Sequence, residues 1–131
     1  GVDVGHGQLD PRLKIRHFEG VNVKDIPAHD EIRAWLEAGV DLCVADLSFI
    51  SFLSLASVLR GFLPSGTRLL ALIKPQFELG AKALNKSGVV VDPALFASLR
   101  VKALEIFPGD FFPSAIKGQD GNQEFFLYSK I

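Results

Sequence analysis

Three charged residues sit at the ends of apolar runs. Lys74 closes Leu69-Leu70-Ala71-Leu72-Ile73, and Pro75 follows it. A buried parallel strand is usually apolar along its length. An amine at its carboxyl end points into the crevice where open α/β sheets hold their ligands. Asp46 ends a second such run, Leu42-Cys43-Val44-Ala45, and Glu124 opens a third, Phe125-Phe126-Leu127-Tyr128. These spacings predict that Asp46, Lys74 and Glu124 meet at one rim of one sheet. A lysine between two carboxylates is either a site for positioning and proton transfer or a buried ion-paired cluster with no chemistry. Position alone leaves both open.

A fourth acidic residue sits in a different setting. Val2-Asp3-Val4-Gly5 reads as the end of a strand and a glycine turn, with Gly5 and Gly7 flanking His6. An acidic residue ending the second strand of a nucleotide-binding unit commonly bonds ribose hydroxyls. Asp3 fits that role, and a turn-forming aspartate is the plain alternative. Past Glu19-Gly20, Asn22 is either a turn residue or a contact at a ligand's edge.

The elements that must hold these residues follow from pattern. Asp10-Pro11 is a plausible helix start leading into Arg12, Lys14 and Arg16. Three cations in five residues can face phosphate, although a solvated face is the commoner outcome. Residues 15–18 read as a short strand. Ile32, Trp35 and Leu36 recur at helical spacing over residues 29–38, with Gly39 as the stop. Trp35 is expected in the core, His29 on the surface. Residues 41–46 and 68–73 read as strands and residues 53–62 as the helix between them. This strand, helix, strand order predicts a parallel pair. Residues 75–92 show no periodicity, and a loop of that length is usually functional or mobile. Asp92-Pro93 caps a helix to about residue 106. Residues 110–116 and 124–131 form two strands joined by Lys117-Gly118-Gln119-Asp120-Gly121-Asn122, a connection that suggests an antiparallel hairpin.

Composition sets bounds. The 131 residues amount to one domain on length, 48% of them hydrophobic and 22% charged. A net charge of −1 and a pI near 6.3 exclude nucleic-acid binding by bulk charge, although not through a local basic patch. Cys43 is the sole cysteine and is read as a buried small hydrophobe, which fits a reducing compartment. No apolar run approaches the roughly 20 residues that span a membrane. The chain opens at Gly1-Val2-Asp3-Val4 in what reads as mid-strand, so a fragment of a longer protein is expected.

Several blocks together resemble the TlyA family of FtsJ-like RNA methyltransferases, often labelled haemolysins. They are Val2-Asp3-Val4-Gly5-His6-Gly7-Gln8-Leu9, Ala45-Asp46-Leu47-Ser48-Phe49-Ile50 and Ile73-Lys74-Pro75-Gln76-Phe77-Glu78. Gly88-Val89-Val90-Val91-Asp92-Pro93, Ser114-Ala115-Ile116-Lys117-Gly118 and Gly121-Asn122-Gln123-Glu124-Phe125 complete the set. They span nearly the whole chain in the family's order. The resemblance implies a partial Rossmann-like α/β fold using S-adenosylmethionine, with a C-terminal antiparallel hairpin. It also implies methylation of a ribose 2′-hydroxyl of ribosomal RNA, with the ribosomal subunit as partner, no membrane and a cytoplasmic setting.

FtsJ-like sites carry a Lys-Asp-Lys-Glu tetrad, and Asp46, Lys74 and Glu124 match its last three members. Asp3, Asn22 and Asp46 match the cofactor side, Asn22 in a stretch that departs from the usual pattern. A ribose hydroxyl is a weak nucleophile that must be aligned with the sulfonium methyl and lose a proton. Flanking carboxylates favour a lysine's ammonium, which works against a base; desolvation and a second lysine push the other way. Lys74 is therefore expected to position the hydroxyl and take its proton, with Asp46 and Glu124 orienting it.

The family's first strand, its glycine-rich loop, the first tetrad lysine and the S4-type RNA-binding domain have no match in these residues. The strands ending at Asp3 and Asp46 are thus expected to close up, to recruit another copy of the chain, or to leave a perturbed sheet. The isolated chain is expected to be inactive. The alternative to a catalytic portion is a non-catalytic RNA- or partner-binding module that keeps the scaffold. Nothing in the sequence is amphipathic and basic enough for a membrane-active haemolysin.

Overall fold

In the computed structural model, which describes residues 1–131, four strands form one mixed sheet in the order β1-β2-β4-β3. These are β1 (Leu42–Asp46), β2 (Arg68–Ile73), β3 (Gly109–Pro113) and β4 (Phe125–Lys130). β1 and β2 are parallel, with Asp46 opposite Leu72. β4 runs antiparallel to both β2 and β3. A parallel pair needs a crossover, and the segment holding α2 (Ala56–Phe62) supplies it. The expected α/β class, the parallel pair and the C-terminal antiparallel pair are all present.

Strand alternation sorts β2 into two faces. Leu69, Ala71 and Ile73 are fully buried, and Arg68, Leu70 and Leu72 point the other way. The buried set packs against Leu55, Leu59 and Leu63 around α2 and against Leu99, Ala103 and Phe107 at α4 (Pro93–Ile106). Each leucine, isoleucine or phenylalanine of this set contributes about 1.5–3 kcal/mol on burial. The opposite face is thinly covered: Leu42, Val44 and Phe112 are 46%, 67% and 44% exposed. α4 starts where its sequence predicts. Asp92 Oδ1 accepts the Ala94 amide at 2.9 Å, and Pro93 occupies the first turn. Cys43 packs against the main core, and burial raises its thiol pKa.

A second, smaller core gathers Ile26 with Ile32 and Leu36 of α1 (Asp30–Glu37), and Val2, Phe18 and Val40 pack on it. Val2 and Phe18 make one parallel bridge. β1 pairs only with β2. The strands ending at Asp3 and Asp46 therefore do not close up, and one edge of β1 stays free.

Several local expectations are corrected. The helix predicted from Asp10-Pro11 is a turn: Asp10 Oδ1 accepts both the Arg12 amide (2.9 Å) and its guanidinium (3.0 Å). This local closure competes with a helix, and the Arg12 guanidinium holds the Asp10 carboxyl below its usual range. Residues 15–18 contribute a single bridge residue, Phe18, rather than a strand. Trp35 is not core. It lies at the margin of the Ile32–Leu36 stripe, 38% exposed, with its ring 6.3 Å from Phe18. His29 is half-buried, edge-on to Phe18. Leu53–Leu55 form a 3-10 turn ahead of α2. Within residues 75–92, a short helix α3 (Pro75–Glu78) and a 3-10 turn Ala81–Ala83 give order the sequence did not signal.

Candidate active site

Two strand registers bring the candidate residues to one rim. Asp46 is opposite Leu72 on the parallel pair, so Ser48, two residues on, faces Lys74. Ile73 is opposite Phe125 on the antiparallel pair, so the next step outward sets Lys74 beside Glu124. Lys74 itself is held where β2 ends because Pro75 opens α3.

The lysine side chain is 13% exposed, and its Nζ lies 2.7 Å from Asp46 Oδ1. It also donates to Ser48 Oγ at 3.0 Å. An ammonium has three donors, so one remains for a further acceptor. The Asp46 carboxylate is 63% exposed and open to solvent on its far side. Glu124, one residue ahead of β4, is half-buried and makes no ion pair with Lys74. Its Oε1 lies over Gly118, where an added Cβ would come within 2.7 Å. The structure thus joins Asp46 and Lys74 directly, whereas the Glu124 carboxylate turns toward Gly118 and bonds to neither.

A buried amide fixes the approach to Glu124. Asn122, 1% exposed, accepts the Val90 amide at 3.0 Å through Oδ1 and donates to the Gly88 carbonyl at 3.1 Å through Nδ2. It pairs with the backbone as a strand neighbour would, and ties residues 88–90 to the residues leading into β4.

Reasoning from sequence missed three residues at this rim. Ser48 was signalled only by its i, i+2 relation to Asp46, which puts both on one strand face. Phe49 and Phe77 pair at 5.3 Å between ring centroids. Phe49 is 91% exposed and adopts a φ of 63°. A left-handed backbone at a bulky residue costs about 1–3 kcal/mol and clusters at functional sites. An exposed ring recovers none of that by burial. Only the folded backbone could reveal it.

Asp3 and Asn22 lie on the other lobe. Asp3 Oδ1 accepts the Gly5 amide at 2.6 Å, and Asn22 Oδ1 caps the 3-10 turn Val23–Ala28 through the Lys24 amide at 3.0 Å. The Val21 amide donates to the Asp3 carbonyl at 3.0 Å, which sets the two loops side by side. Both side chains are exposed. Asp3 keeps its second oxygen and Asn22 its amide nitrogen free for a polar ligand. No hydrogen bond joins either to Asp46 or Lys74. A cleft of about 920 Å³ lies at the opposite end of the strands, with Asp41, Arg68 and Lys130 in its lining, and it holds none of these residues.

Fold and rim together define an α/β protein whose lysine–carboxylate pair sits where open α/β sheets hold their ligands. The chain belongs to the FtsJ-like methyltransferase family, whose sequence profile matches residues 1–131. It is 34% identical over 139 residues to the 16S/23S rRNA (cytidine-2'-O)-methyltransferase TlyA of Mycobacterium tuberculosis, covering 97% of this chain and 49% of that protein. It is 31% identical over 140 residues to Hemolysin A of Brachyspira hyodysenteriae, covering 97% and 55%. A hemolysin-named structure from Streptococcus thermophilus superposes with a TM-score of 0.77 at 28% identity, over 97% of this chain and 48% of that one. The chain spans about half the length of the curated relatives it matches. No helix is long and apolar enough to cross a membrane.

Proposed function

We propose that this chain is the catalytic portion of an RNA methyltransferase that modifies a ribose 2′-hydroxyl of ribosomal RNA, with S-adenosylmethionine as donor. The observation that carries this reading is the Lys74 ammonium, largely withdrawn from solvent and pinned by Asp46 at 2.7 Å and Ser48 at 3.0 Å. S-adenosylmethionine, when bound, supplies a methyl group on a sulfonium. Asp3 and Asn22 would hold its ribose and adenine side, and Asp46 the end nearest Lys74.

The protein's own residues then do the rest. Lys74 aligns the hydroxyl through its remaining position and, in its neutral form, would take the hydroxyl proton as the oxygen gains the methyl group, the broken S–C bond leaving a neutral thioether. Asp46 and Ser48 stop the lysine from swinging away, and Glu124 closes the other side. Alignment of this kind can supply a large share of a barrier, and a positioned acid or base contributes about 10²–10⁴-fold. Phe49, exposed beside Phe77, offers a face on which a nucleobase can stack. A ribosomal substrate places the reaction in the cytoplasm. The free edge of β1 is where a second copy would complete the sheet.

Incubating the full-length natural protein with labelled S-adenosylmethionine and ribosomal RNA tests this. Label is expected in a 2′-O-methyl nucleotide that resists alkaline cleavage. Lys74→Ala is expected to lower kcat at least 10²-fold with cofactor binding retained. Full turnover by Lys74→Ala would refute the assigned role. RNA binding without any transfer would favour the non-catalytic module.

A further inference from the structure

One carboxylate holds the turn leaving β1 to the helix that follows Lys74. Glu78, the last residue of α3, accepts from Ser51 Oγ at 2.6 Å, from the Phe52 amide at 2.6 Å and from the Leu53 amide at 3.4 Å. The two amides open the 3-10 turn Leu53–Leu55 that leads into α2. First-turn amides have no partner inside their own element, and negative charge at that end is favoured. The bonds are partly buried, and hydrogen bonds to an ionised group are the strong ones. Ser51 is itself fixed. Its Oγ accepts the Ser54 amide at 3.1 Å, and Ser54 Oγ donates to the Ser51 carbonyl at 2.7 Å.

These contacts close a ring around the candidate site. β2 leads through Lys74 into α3, α3 ends in Glu78, and Glu78 grips Ser51. From Ser51 the chain runs back through Phe49 and Ser48 to Asp46 on β1. The sheet anchors the Asp46 end of that turn, and Glu78 anchors the other. Between these anchors lie the Lys74–Ser48 bond and the Phe49–Phe77 contact. Releasing the Glu78 end lets Ser48 and the strained Phe49 move while the sheet stays intact.

We propose that Glu78 is a positioning residue: by clamping Ser51 and the Phe52 and Leu53 amides to α3, it holds the turn so that Ser48 stays on the Lys74 ammonium. This inference rests on the reading of Lys74 as the centre of the site. A cap that served stability alone would shift the unfolding midpoint and leave turnover by the folded protein unchanged.

The test uses Glu78→Ala and Glu78→Gln in the full-length natural protein, well below their unfolding midpoints. Glu78→Ala is expected to lower kcat about ten- to a hundredfold, the scale of an ångström-level misplacement, with KM for S-adenosylmethionine unchanged. Glu78→Gln is expected to recover most of this, because its amide oxygen still accepts the two backbone amides. By NMR, the Lys74 Nζ signal is expected to shift in Glu78→Ala, and the Phe52 and Leu53 amides to exchange faster. Wild-type kcat in Glu78→Ala, or an unmoved Lys74 signal, overturns the proposal. If Glu78→Ala does not fold, Ser51→Ala removes only the Oγ bond. An unchanged Lys74 signal and kcat in that variant then overturn the proposal. If Lys74→Ala keeps full turnover, the functional reading fails, and the NMR readout alone decides whether Glu78 holds the turn.

Discussion

The Lys74 ammonium reaches back one pleat to lie 2.7 Å from Asp46 Oδ1, although the register partner of Asp46 is Leu72. Ser48, which does face Lys74, takes a second donor. The lysine thus spans two rungs of the ladder and is fixed by both. Asp46→Asn keeps the shape and removes the carboxylate's charge, turning an ion pair into a hydrogen bond from the ammonium to a neutral amide oxygen. A fall in kcat of about 10–10²-fold is expected, measured as initial methyl-transfer rates beside Lys74→Ala. A wild-type rate would mean that Asp46 does not orient the lysine.

Phe49→Ala separates recognition from stability. The ring is 91% exposed, so its loss removes no core contact. The base-stacking reading gives a rise in the KM for RNA of about 5–150-fold, from 1–3 kcal/mol per stacked base. The unfolding midpoint is expected to hold. Phe49→Gly is expected to raise stability by about 1 kcal/mol, since glycine tolerates the φ of 63°. An unchanged KM for RNA would remove Phe49 from the substrate surface.

Gly118→Ala probes Glu124 without touching it. An added Cβ would come 2.7 Å from Glu124 Oε1 and 3.2 Å from its Cδ, so the carboxylate must move. The obstacle is the far end of a flexible side chain, so the fold should absorb the change at a cost under about 1 kcal/mol. Methyl transfer is expected to drop about tenfold, with little change in denaturant midpoint. Loss of stability without loss of rate would assign Glu124 a structural role.

Asn122→Ala tests the buried amide. It leaves the Val90 amide and the Gly88 carbonyl without their partner. Each unmet buried group costs about 1–3 kcal/mol. Urea unfolding is expected to show a loss of roughly 2–4 kcal/mol, with proteolysis appearing first in residues 85–91. A loss below about 0.5 kcal/mol would mean that water replaces the amide freely.

The sequence by itself determined the four strands of the sheet and the helices α1, α2 and α4. The apolar run ending at Lys74, the apolar run that follows Glu124 and the Asp92-Pro93 start of α4 are local signals of pattern and capping, and each falls where the pattern puts it. The rim that joins Asp46 to Lys74 was legible for the same reason, because a charge at the end of a buried strand has few places to go. Where local hydrogen bonding competed with a helix, as at Asp10 and Arg12, pattern misled. Only the tertiary structure decided the rest. Ser48 joined the site through the register of β1 on β2, and Phe49 through a backbone angle that no spacing encodes. Glu78 became the clamp on the β1 turn because the fold brought residues 51–53 and 78 together, a contact across more than twenty positions. Periodicity is a property of neighbours in the chain; register, strain and long-range capping are set by which elements pack together.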